Sequence, residues 1–261
     1  MSDEGRVSGG VEARPEPWVV AEEPDWTATA TGLNRNRVDL SAYRASPTEQ
    51  MRIGDLLGHT PSSGGVALDV GARDGYLSVL LAERFERVIA LDLVLPEASV
   101  PRVTWVQADA VQLPFPDGAI DFVLCAEVLE HLPTSILPRV CAELERVCSG
   151  DILVGVPYRE DNRVGRTTCR SCGGTNPPWG HVNSFDESRL QRLFARCEVK
   201  ATSFVGESRQ RTNAISVALL DLAGNPFGTY AQEEPCIHCG RALTGPPPRT
   251  AATPVPSTAA A

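Results

Sequence analysis

The chain is 261 residues long with 42% hydrophobic side chains, enough for one domain of catalytic size with tails or an insertion to spare. Its formal net charge of −9 repels phosphate backbones, which argues against nucleic-acid binding. No apolar run approaches the length of a membrane span, and residues 1–10 lack the basic and apolar regions of a secretion signal. A soluble, cytoplasmic protein is expected. In that reducing compartment eight cysteines point to metal ligands or buried thiols before disulfides.

Residues 1–36 are rich in Gly, Pro, Glu and Thr without periodicity and read as a disordered or loosely docked arm. Trp18 and Trp26 stand out there, either as surface anchors or as a short partner-binding motif. Val66–Val70 is a short apolar run leading into glycine-rich sequence, hence a buried strand. Tyr76–Phe85 has helical spacing, and Val88–Leu93, Val103–Gln107 and Ile120–Leu124 read as three more strands. Ser135–Cys148 reads as a helix with Ile136, Leu137, Val140, Leu144 and Val147 on one stripe. Ile152–Val156 is a fifth strand and Glu187–Phe194 a short helix. Val199–Val205 and Ala214–Leu220 are predicted as two late strands, joined as a hairpin by the polar link Gly206–Asn213. The expected fold is doubly wound α/β over residues 37–222: a mostly parallel seven-stranded sheet with an antiparallel last strand. Residues 244–261, mostly Pro, Ala and Thr, read as a tail.

Chemistry gathers where the predicted strands end. Asp69-Val70-Gly71-Ala72-Arg73-Asp74-Gly75 follows the first strand; Gly71 permits a tight turn and Gly75 a close backbone approach. Asp92 ends the second strand, where a carboxylate can accept both hydroxyls of a ribose. Asp109 follows the third, where it can accept from an adenine amino group, and Leu113-Pro114-Phe115 lies beyond it. Glu127–His131 follows the fourth strand. In open α/β sheets this edge binds ligands. A dinucleotide-binding domain would want Gly-x-Gly-x-x-Gly, whereas this chain has Gly-x-x-x-Gly.

Three segments, Asp69–Gly75, Asp109–Phe115 and Glu127–Leu132, together resemble the class I S-adenosylmethionine-dependent methyltransferase family, in its small-molecule branch. The likeness runs from about Ala67 to Leu132 and continues more weakly to Leu220. The resemblance implies that Gly71, Ala72 and Gly75 form the turn against the methionine part, with Asp69 orienting its amino group. It implies that Asp92 and Leu93 serve the ribose, that Asp109 and the Ala110 amide read the adenine, and that Cys125 and Glu127 line the methionine side. Arg73 departs from the pattern, because many members of the family have glycine there.

Cys169-Arg-Ser-Cys172-Gly and Cys236-Ile-His-Cys239-Gly are matched knuckles that could supply four thiolates to one closed, structural zinc site. Independent thiols or a pair of disulfides are the alternatives. The first knuckle falls in an insertion at 158–185, on the edge expected to bind substrate; the second lies in a C-terminal segment, 223–243. Residues 223–235 span on the order of 40 Å when extended, so the tail is expected to climb back from the far edge of the sheet and clamp a small zinc-knuckle lid. His238 is expected to point away from the metal. Cys125, Cys141, Cys148 and Cys197 read as buried thiols.

Methyl transfer to a hydroxyl needs alignment and a base. Of four histidines, His131 and His181 are the catalytic candidates, with a structural role as the alternative for each; His59 reads as a surface residue. Trp179–Phe185 resembles a segment after the fifth strand in bacterial methyltransferases of sugars, lipids and natural products, which would turn His181 toward the methyl donor. Tyr158, Arg159, Tyr43 and Arg44 are further pocket candidates. The expected function is O-methylation of a small hydroxylated metabolite. An RNA methyltransferase with a zinc module and a non-catalytic binding protein are the rival readings, and the sequence leaves the oligomeric state open.

Overall fold

The computed structural model describes residues 40–95, 102–207 and 210–248. The predicted arm, Trp18 and Trp26 lie outside the described residues, as does the tail from 249 onward. Two helices, α1 (Ser41–Arg44) and α2 (Pro47–His59), lead in. Ser46 caps α2 by accepting from the Glu49 N–H, and Pro47 fills the first turn, where no N–H is needed.

The sheet follows. β1 (Gly64–Val70), β2 (Phe85–Asp92), β3 (Val103–Gln107), β4 (Ile120–Ala126) and β5 (Cys148–Gly155) pair in the order β3-β2-β1-β4-β5, and every pairing is parallel. Helix α3 (Tyr76–Leu81) follows β1, and α4 (Leu137–Val147) precedes β5. One face of the sheet packs Leu68, Val70, Ile89, Leu91 and Val123 against the stripe Val140, Leu144 and Val147 of α4. The other packs Ala67, Val88 and Phe122 against Leu56 of α2 and Leu81 of α3. Each large aliphatic side chain buried this way contributes roughly 1.5–3 kcal/mol. The buried runs carry no polar alternation because both faces are covered.

Strand order reverses between β1 and β4, which opens a crevice at their carboxyl ends. Above that edge lies a lid, built on the two-stranded antiparallel hairpin β6 (Thr167–Thr168) and β7 (Thr175–Asn176). Helices α5 (Glu187–Leu193) and α6 (Ala214–Leu222) follow.

Several expectations are overturned. The main sheet of the described residues has five strands, without an antiparallel last one, because the late strands do not form. Ala214–Leu220 belongs to α6: Asn213 caps it, its side chain accepting from the Ser216 N–H at 2.9 Å, and Gly224 at φ 74° ends it. A short apolar run without alternation is ambiguous in sequence, and here the capping residues decide. Val199–Val205 lies exposed and pairs with no described strand. The tail therefore does not climb across the sheet. It leaves α6 beside the lid, where Arg166 pairs with Asp221 and the Thr229 N–H donates to the Gly165 carbonyl at 2.8 Å. Cys197 is also exposed and Cys148 only half-buried, while Cys125 and Cys141 are buried as expected.

Candidate active site

The loop after β1 is shaped by its glycines. Gly71 sits at φ 72° and donates its N–H to the Leu91 carbonyl, as does Ala72. A Cβ at position 71 would come within 2.5 Å of Val128, and one at 75 within 2.7 Å of the Trp105 ring. The thin loop is thus wedged between β3 and the turn after β4. Arg73 adopts φ 54°, a left-handed conformation that glycine takes without strain. Its N–H donates to Asp92 at 2.8 Å, and its guanidinium makes two 2.8 Å contacts with Glu233 of the C-terminal segment. The departure from glycine therefore ties the loop after β1 to the C-terminal segment.

The predicted cofactor residues meet along one sheet edge. Asp92 accepts from Arg73 N–H with one oxygen and from Val94 N–H with the other, which leaves each a free lone pair. Leu93 is exposed beyond it. Asp109 accepts from the Val111 N–H, and Ala110 stands half-buried beside it. Asp69 is buried and accepts from the Ser78 hydroxyl at 2.6 Å; burial pushes its carboxyl up to about 6. Glu127 takes φ 57° after β4, with Arg52 of α2 at 3.8 Å. Cys125 is the exception: its side chain is wholly buried in the sheet, so any ligand contact there falls to backbone.

From α1 onward the leading segment covers this edge. Arg44 grips Asp74 through contacts of 2.5 and 2.7 Å and lies over the Tyr76 ring. Burial, with Glu49 beside it, raises the Tyr43 hydroxyl to about 12. Glu49, in turn, holds Arg52.

The lid brings His181 to His131. Their rings meet edge to face, with centroids 4.8 Å apart. His181 Nδ1 contacts the Glu160 carboxylate at 2.6 Å. Burial works to lower His181, but Glu160 outweighs it and holds the imidazole above its usual value. Burial and the neighbouring His181 push His131 down to about 4. Asn183 pins the assembly: its side-chain amide donates to the carbonyls of Leu129 and Leu132, and its backbone N–H to that of Glu130. A cleft of about 280 Å³ opens beside His181, lined by Asn162, Arg166, Pro177 and Ile237 among others. Tyr158 and Arg159 lie further out, both at Glu187, while His59 sits at the end of α2 near Asp55.

The four knuckle cysteines converge. Cys169 Sγ lies 3.7 Å from Cys239 Sγ, and Cys172 Sγ lies 3.6 Å from Cys236 Sγ. Tetrahedral zinc at about 2.3 Å from each sulfur requires S–S edges of about 3.8 Å, and a disulfide about 2.05 Å. The geometry fits the ion. Both knuckles turn alike: Gly173 and Gly240 take φ 74° and 68° and donate back to the carbonyls of Cys169 and Cys236. His238 lies outside the sulfur cluster, its Nε2 against the Thr175 carbonyl.

Several groups at this edge had weak or no sequence signal. Glu130 stood inside the Glu127–His131 motif without a role. Asn183 stood inside Trp179–Phe185 without a role, while Glu160, Arg52 and Glu233 belong to no motif and are recognisable only from their partners.

Residues 68–151, from β1 into β5, match the family model described as a methyltransferase domain. A Mycobacterium tuberculosis protein named a probable S-adenosylmethionine-dependent methyltransferase is 35% identical over 107 residues, 39% of each chain. The malonyl-[acyl-carrier protein] O-methyltransferase of Serratia marcescens is 36% identical over 113 residues, 41% of this chain and 44% of that one. The matches thus span about two-fifths of the length of these curated relatives. Among solved structures, the Burkholderia thailandensis 1,6-didemethyltoxoflavin-N1-methyltransferase with bound S-adenosylhomocysteine is similar at a TM-score of 0.47 and 19% identity, covering 66% of this chain and 74% of that one. The family match and the curated relatives support a class I S-adenosylmethionine-dependent methyltransferase, and the Rossmann-like α/β sheet agrees with that class.

Proposed function

We propose that this protein transfers the methyl group of S-adenosylmethionine to an oxygen of a small hydroxylated metabolite, such as a sugar, a glycan or a natural product. The observation that carries the reading is the meeting of His181 and His131, with Glu160 on His181, over the edge that holds the cofactor loop. S-adenosylmethionine supplies a methyl carbon made electrophilic by its sulfonium. The chain's part is to align donor and acceptor and to exclude water. Asp69, Gly71, Ala72, Gly75 and Glu127 hold the methionine end. Asp92 and Leu93 hold the ribose, and Asp109 and Ala110 the adenine. His181 and His131 serve the acceptor hydroxyl, whose proton must leave before or during the transfer.

In this reading residues 37–222 are the methyltransferase domain, with a lid at 158–185. The segment 223–243 completes a structural zinc site of Cys169, Cys172, Cys236 and Cys239, supported by the matched sulfur spacings. A cytoplasmic setting, which keeps cysteines reduced and available to a metal, belongs to this reading.

Calorimetry with S-adenosylhomocysteine is expected to give binding that Asp92→Ala weakens by about tenfold or more, the scale of lost hydrogen bonds to a charged group. Labelled methyl donor, offered with fractions of hydroxylated metabolites, should give an ether product that His181→Asn abolishes. Absence of binding, or binding indifferent to Asp92→Ala, sinks the cofactor reading. A product labelled on nitrogen or carbon sinks the O-methyl assignment.

A further inference from the structure

We infer that Glu130, His131 and His181 form a second metal site, separate from the cysteine cluster, for a divalent first-row transition ion. Glu130 stands in the turn Leu129–His131 and is 0% exposed. Neither of its carboxylate oxygens has a hydrogen-bond partner. A buried carboxylate left so costs several kcal/mol unless a cation or proton completes it. One candidate ligand atom from each of Glu130, His131 and His181 lies within 4.8 Å of the other two. An ion bound at about 2.1 Å would draw them to separations of about 3.4 Å.

The surroundings are those of a ligand set rather than a chance cluster. Glu160 takes Nδ1 of His181, which fixes the ring and leaves Nε2 free; a carboxylate in that place orients imidazole ligands. Asn183 bonds the carbonyls on both sides of Glu130 and His131, so turn and lid are held at a set spacing. Glu234 brings a further buried oxygen without a partner. A Cβ at Gly180 would lie 3.0 Å from the Glu234 side chain and 3.6 Å from His131 Nδ1, so Glu234 stands close to the site. Two imidazoles with carboxylate suit zinc, manganese, iron or cobalt, whereas the four thiolates nearby select a softer coordination.

The site stands on geometry; its role rests on the proposed methyl transfer. An acceptor hydroxyl coordinated to the ion would give up its proton to bulk solvent as it binds. Its oxygen pair then bonds the methyl carbon while the carbon–sulfur bond breaks and sulfur keeps that pair.

The test uses the full chain with zinc in its cysteine site and loose metal removed. It is titrated with Mn2+, and free Mn2+ is read by electron paramagnetic resonance. One Mn2+ per chain is expected. Glu130→Gln and, on the lid, His181→Asn should each weaken uptake by at least about tenfold while zinc stays at one per chain, which also reports that the lid has folded. No uptake at millimolar Mn2+, or uptake indifferent to both variants, overturns the site. S-adenosylhomocysteine binding, measured on the same wild-type sample, separates the two readings. Binding without Mn2+ uptake leaves methyl transfer standing and removes the metal. Mn2+ uptake without it does the reverse.

Discussion

The sheet and the lid are held by different forces. Between β1 and β5 the chain buries two continuous apolar layers, one on each face. The buried hydrophobic cluster of the lid is Cys169, Cys236 and Leu243, with Tyr230 against it. Apart from Phe185 at its end, which joins the core of the sheet, its further ties include polar ones: Asn225 to Thr168, Tyr230 to the Thr168 N–H, Ile237 N–H to Asn176. A region with so little apolar surface to bury cannot offset its ordering entropy by the hydrophobic effect alone. With zinc bound as proposed, the four thiolates would supply what the core does not, so sheet and lid should fail under different insults.

Removing the metal should have the largest effect. Structural zinc contributes apparent free energies of about 10–16 kcal/mol in isolated knuckle peptides. Cys236→Ser, or a strong chelator, is expected to disorder the lid and the segment after α6 while the sheet stays folded. Hydrogen exchange would show fast amides in 165–185 and 225–245 against protected strands. Equal loss of protection in β1 and β4 would break the contrast. Deleting the chain from Glu233 onward should release the zinc in the same way, and full metal content in that truncation would refute the clamp.

The converse insult is a cavity in the sheet. Leu144→Ala, at a wholly buried position on α4, should cost about 2–5 kcal/mol. The melting temperature should fall with zinc content unchanged.

A smaller effect separates the two sides by pH. Burial raises Asp69 to about 6, so its carboxylate is disfavoured in the fold. Fold stability from this group rises as pH drops below that value, toward the ordinary carboxylate range. In the proposed function, cofactor binding needs the charged form for the methionine amino group and so moves the opposite way. S-adenosylhomocysteine affinity should fall by about tenfold per pH unit below 6, and Asp69→Asn should be weak and flat across that range.

The smallest expected change is at the join. The Arg73–Glu233 pair is half exposed, so its loss should cost under about 1 kcal/mol. Arg73→Ala should hardly move the melting temperature, yet it should speed proteolysis of the linker between α6 and the second knuckle. An unchanged cleavage rate would mean that zinc alone holds the tail.

The amino-acid sequence determined the five parallel strands and the residues at their carboxyl ends. It also determined the pairing of two knuckles far apart in the chain. Buried strands write themselves as apolar runs, and metal ligands as fixed cysteine spacings. Ala214–Leu222 was not legible in this way, because its apolar residues fit a strand as well as a helix until Asn213 and Gly224 are seen at work as caps. Nor was the acid cluster around His181. Glu130, Glu160 and Glu234 are ordinary acidic letters until the fold buries the first, half-buries the other two and brings them to two imidazoles. Which side chains meet across a lid is set by how the lid docks, and docking depends on contacts between residues that share no periodicity. That part only the tertiary structure decided.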